Sequence, residues 1–167
     1  IEIVKALIDS GADVNLKDFN GHTALTYTIF NNVGGVIGIK KDIATLLIEK
    51  GSSLNFMGFY NTNYKGQINP NFKGSNFLEY VINDLELLKV IEKNRPDSFD
   101  LPINPLGHTP LIHAIEEHSN IDILEFILKQ TKNVNLPDNE NKTALAHALN
   151  LRRDRKIIDL LKQYGAK

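Results

Sequence analysis

The chain has 167 residues, 42% of them apolar, with 19 basic and 20 acidic side chains and no cysteine. That length supports one domain with a core of its own. The near-zero net charge, kept in each half of the chain, argues against a duplex-DNA binder, and the missing cysteines exclude disulfides and thiolate metal sites.

No apolar run approaches the ~18 residues of a membrane helix, so no membrane contact is expected. The chain opens at Ile1 without a signal-like stretch, so it reads as a piece of a longer intracellular protein. Its many Asn and Ile residues suit an AT-rich genome.

The first element is the block IVKALIDSGADVN (3–15), with Gly11 where a helix end wants a left-handed residue. GHTALTYTI follows at Gly21, then NNVGGVIGIKK (31–41), then IATLLIEKGSSLN (43–55), a copy of the first block with Gly51 in the place of Gly11. FMGFYNTNYKGQINPNFKG (56–74) carries five aromatics, Lys65 and Lys73, and no acid. GSNFLEYVI (74–82) and a weaker copy of the helical block, LLKVIEKNRPD (87–97), precede a Pro-rich turn, NRPDSFDLPINP (94–105). GHTPLIHAI (107–115), ILEFILKQTKNVN (123–135), NKTALAHAL (141–149) and IIDLLKQYGAK (157–167) complete the chain.

Two blocks therefore alternate. Ser75, Thr109 and Thr143 stand 34 residues apart, whereas Thr23 lies 52 before Ser75. Thr109 followed by Pro110 is an N-cap followed by the first helical position: the hydroxyl accepts from an orphan N–H, and Pro has none to lose. Each cap contributes about 1 kcal/mol. A short helix is expected over Pro110–Glu117 and a longer one over Ile121–Gln130, apolar at Ile123, Leu124, Ile127 and Leu128. Such a pair cannot bury its apolar face alone and must stack on neighbours. The fold class is all-α, a solenoid of stacked helix–turn–helix units with hairpin-like turns.

The T-P-L-x-x-A and G-A-D-V-N pieces at this period resemble the ankyrin repeat family over nearly the whole chain. The resemblance implies one repeat domain. Residues 1–16 end a truncated repeat, and 17–55 form a repeat with an insertion at 31–41. Residues 56–99 form an irregular repeat with a long loop at 56–74, 100–136 a regular repeat, and 137–167 a C-terminal capping repeat. The charged RRDRK (152–156) suits the solvated start of the last helix.

Enzyme motifs fail. GGVIGIKKD (34–42) is neither GxxxxGK[ST] nor GxGxxG and has no strand signal before it, so it reads as a flexible turn. HExxH and GxSxG are absent. His113 and His118, five apart, make a poor metal pair. No catalytic residue, metal site or cofactor is expected.

The resemblance implies binding of a partner protein through turn tips and inner helices on a concave face, an open surface of about 800 Å² rather than a deep pocket. The matching positions are Phe19, Asn20, His22, Tyr27, Phe30 and Asn31 in one repeat. They continue as Leu106, His108, His113, Glu116 and Glu117 in the next regular repeat, and as Lys142 and His147 in the last. His113 and His147 hold a variable place that the resemblance turns towards the groove, and His113 reads either as a surface or partner contact or as a packed side chain. The loop 56–74, with Tyr60 and Tyr64, reads either as a further contact loop or as aromatics folded back on the stack. A non-catalytic interaction module follows, in a larger protein of a host-directed, effector type. The alternative is a nucleotide or other small ligand held by Tyr60, Tyr64, Lys65 and Phe72 through stacking and cation–π contact.

Overall fold

The computed structural model describes residues 1–19, 21–29, 31–33, 36–38, 40–56 and 75–167. The described residues are mainly helical and form two compact units, Ile1–Phe77 and Leu78–Lys167. None of their helices is long and apolar enough to cross a membrane.

The first unit contains α1 (Glu2–Asp9), α2 (Ala24–Ile29), an antiparallel hairpin β1 (Asn31–Val33) and β2 (Val36–Gly38), and α3 (Lys41–Glu49). The hairpin corrects the flexible turn expected at 34–42, because Val36–Gly38 pairs with a strand that directly precedes the glycines. A second ladder, β3 (Asn55–Phe56) with β4 (Ser75–Asn76), joins the two ends of the long inserted segment. Two further bonds hold that base: Phe77 N–H donates to the Leu54 carbonyl at 2.7 Å, and Asn76 Nδ2 donates to Asn55 Oδ1 at 2.7 Å. α2 packs on α3 and buries Leu25, Ile29, Leu47 and Ile48.

The second unit begins within α4 (Phe77–Val81) and continues through α5 (Leu85–Asn94) and a 3₁₀ turn (Pro96–Asp100). Two helix pairs follow: α6 (Pro110–Glu116) with α7 (Ile121–Gln130), and α8 (Ala144–Asn150) with α9 (Arg155–Gln163). α6 packs on both α7 and α8, α8 packs on α9, and α7 packs on α9, so inner helices stack on inner and outer on outer. The α7 stripe Ile123, Leu124, Ile127 and Leu128 is buried, as the sequence spacing requires.

The caps follow the sequence. Thr109 accepts from the Ile112 amide and Thr143 from the Ala146 amide, both at 3.4 Å. Thr23 differs: its hydroxyl lies 3.3 Å from the Thr26 hydroxyl. Arg153 also departs from a solvated helix start, because its guanidinium donates back to the Ser119 carbonyl at 3.4 Å.

Asn15 and Asn135 close the outer turns alike. Asn135 donates to the Gly165 carbonyl at 3.0 Å and accepts from the Lys167 amide at 2.8 Å. Asn15 makes the same pair of bonds to Gly51 and Ser53 at 3.2 and 2.7 Å. The recurring Asn is thus a latch between successive outer turns.

One glycine is fixed by more than its turn. Gly107 has φ +80°, and a Cβ there would stand 2.5 Å from Asn139 Oδ1 and 3.0 Å from the Asn139 backbone nitrogen. Gly165 has φ +86° with nothing within 4 Å of that position. Gly107→Ala therefore loses about 1–2 kcal/mol for the left-handed backbone and more for displacing Asn139. Gly165→Ala loses the backbone part alone. Equal urea midpoints for the two variants would refute the tip-to-tip contact.

Candidate functional site

The turn tips share one construction. Asp18, Asn104 and Asp138 each stand five residues before the Thr that precedes an inner helix. In each, the side-chain Oδ1 accepts the amide four residues on: His22 at 2.9 Å, His108 at 3.1 Å and Lys142 at 2.9 Å. The residue between, Gly21, Gly107 or Asn141, takes a positive φ of 82°, 80° or 61°. This is the local turn chemistry of Asx residues, and it makes the tip rigid.

In the second unit this construction brings ionisable groups together. Asp138 Oδ1 is held by the amides of Glu140 and Lys142 at 2.8 and 2.9 Å, leaving Oδ2 turned towards two imidazoles. His147 Nε2 lies 2.7 Å from Oδ2, and His108 Nε2 lies 3.7 Å from the same oxygen. On its other side, His147 Nδ1 donates to Glu116 Oε1 at 2.5 Å. The two rings stand nearly edge to face, 5.3 Å apart. His108, Asp138 and His147 are all buried, and with Glu116 they line an open pocket of about 330 Å³ completed by Pro105, Leu106, Asn139 and Glu140. That lining offers imidazole, carboxylate and amide groups and no hydroxyl, thiol or amine.

The electrostatics follow from burial. Burial and the neighbouring His147 push the His108 pKa below the ordinary imidazole value, with His113 acting the same way and Glu116 and Asp138 opposing. Burial alone would raise Asp138, but the Lys142 amide, His147 and the Glu140 amide outweigh it and hold the carboxyl below its usual range. Both groups therefore bind a proton less readily folded than unfolded. Their contributions to stability are present at neutral pH. The His108 part is lost as pH falls from about 6.5 through its lower folded value, and the Asp138 part as pH falls below about 4. Unfolding free energy measured from pH 7 to 3 is expected to fall through both windows, and His108→Gln to flatten the first. An unchanged slope in that variant would refute the assignment.

The structure redistributes the expected contact residues. His22, His108, His113 and His147, expected on the binding surface, are each no more than 8% exposed. His113 Nε2 donates to the Glu79 carbonyl at 3.0 Å, a neighbour one repeat away. His22 sits under Tyr27, ring centroids 5.7 Å apart, while the Tyr27 hydroxyl donates to Asp18 at 2.6 Å. His113 and His147 are buried against the preceding repeat, beside Glu79 and Glu116, whereas His22 is covered within its own repeat by Tyr27. Phe19 at 94%, Leu106 at 59% and Tyr27 at 52% remain exposed, as does Glu117. Glu116 is half-buried against His147, and Lys142 pairs with Glu140 at 2.7 Å on the surface, a contact worth little.

Asn31 lies in β1, where the backbone alone is described. Asn20, Phe30, Tyr60 and Tyr64, with the rest of the expected ligand loop, lie outside the described residues. Sequence reasoning passed over Asp138. The signal that marks it is an Asx three residues before the positive-φ position and five before the capping Thr.

Residues 77–167 match the family described as ankyrin repeats (3 copies). No curated protein matches the chain.

Proposed function

The chain belongs to the ankyrin-repeat family, and from that premise we propose that it is a non-catalytic module that binds a partner protein through its turn tips. Ankyrin repeats are in general protein–protein interaction modules. The observation that carries the choice of tips is Phe19, 94% exposed on a turn whose backbone Asp18 holds fixed. Leu106, 59% exposed, takes a similar place on a tip of the second unit. A rigid backbone that presents a bare apolar side chain loses little entropy on docking, and aromatic anchors of this kind dominate interface energetics.

The test is capture from a cell lysate by the intact protein and by Phe19→Ala/Leu106→Ala. Neither side chain is buried, so the melting temperature is expected to stay within a few degrees. Loss of a captured protein from the variant is the expected result, with at least about thirtyfold weaker binding for each side chain that acts as a hot spot. Undiminished capture of the same protein would remove the tips from the interface.

A further inference from the structure

The geometry points to a binding site for a divalent first-row transition metal, zinc foremost, formed by His108, Asp138 and His147. The three side chains come from two successive repeats, all are buried, and their ligand atoms lie within 4.8 Å of one another. Tetrahedral zinc, with bonds near 2.0–2.1 Å, sets its ligand atoms about 3.3 Å apart. The two separations to Asp138 Oδ2, 2.7 Å from His147 and 3.7 Å from His108, fall on either side of that value. Small side-chain rotations bring all three onto one ion.

The surroundings are those of a metal site. Glu116 fixes the His147 ring through Nδ1, which leaves Nε2 as the donor atom, the carboxylate–histidine arrangement that orients metal-ligating imidazoles. The Glu140 and Lys142 amides engage Asp138 Oδ1 and leave Oδ2 facing the two imidazoles. Charge balances as well: the carboxylates of Asp138 and Glu116 offset a dication without a further counter-ion. Two imidazole nitrogens select zinc-like ions over calcium and magnesium, which want oxygen ligands. On binding, the ion takes the place of the proton that His147 Nε2 shares with Asp138, and that proton passes to solvent. The fourth position faces the open pocket beside Leu106 and Glu140, where a water molecule or an incoming side chain completes the tetrahedron.

This site does not depend on partner binding, and its test is separate. Chelator-treated protein is titrated calorimetrically with Zn²⁺, and with Co²⁺ by visible absorption, with Mg²⁺ as control. One equivalent of Zn²⁺ and a tetrahedral Co²⁺ band are expected. Glu116→Gln should weaken binding about 10–100-fold, and loss of a direct ligand in His108→Ala should weaken it at least as much. His108→Ala is the decisive variant, because the 3.7 Å approach to Asp138 is a loose contact; circular dichroism checks that the variant keeps its helices. Two results overturn the proposal. One is no binding to intact protein at about 0.1 mM Zn²⁺. The other is equal affinity in His108→Ala, which would mark adventitious binding at other histidines.

Discussion

Phe99→Ala is expected to lower the unfolding free energy by about 3–5 kcal/mol. Phe99 is wholly buried, and its ring meets Phe126 edge to face at 6.1 Å. It sits in the 3₁₀ turn Pro96–Asp100, which packs on α5, α6 and α7 together. Truncation leaves a void among three helices, none of which can close it without giving up its own contacts. Phe99→Leu keeps most of the volume and should cost less than about 1.5 kcal/mol. Urea unfolding checks both, with the slope unchanged. A loss below about 1 kcal/mol in Phe99→Ala would mean that this segment is a surface turn after all.

His147→Ala is the second large effect, about 2–4 kcal/mol. The imidazole bridges Glu116 and Asp138, and the Asp138 side chain is 3% exposed. Removing the ring leaves a buried carboxylate with two backbone amides and no imidazole beside it. Asp138→Asn in the same background removes the stranded charge, so the double variant should lose less than the two single losses added together. The shortfall is expected at about 0.5–3 kcal/mol. Strict additivity would show that His147 and Asp138 do not stabilise each other, and would undo the account of the cluster.

The legible parts of this protein are local. Thr109 and Thr143 cap their helices, Gly11, Gly51 and Gly165 take positive φ where the helices end, and Ile121–Gln130 spans the expected residues. Each of these outcomes depends on residues within a turn or two, so a repeating pattern of apolar, capping and glycine positions carries it. The Pro-rich stretch 94–105 is legible as a turn, but only in part. Its prolines announce an interrupted helix, but nothing in them shows that Phe99 and Ile103 turn inward.

The histidines mark the limit more sharply. His113 and His147, judged by their place in their own repeat, face the groove. In the folded chain His113 meets Glu79, 34 positions away, and His147 meets Glu116, 31 positions away, as well as Asp138 of its own repeat. Asp138 alone reads as a turn-forming residue, and His108 alone as a variable one. Only stacking sets them 3.7 Å apart with His147 alongside. The sequence by itself determined the unit: its period, its helix ends, its apolar faces, and hence its family. The tertiary structure decided which side chains of neighbouring units meet, which are buried, and where charges converge, because such contacts arise about one repeat apart, beyond the reach of any local pattern.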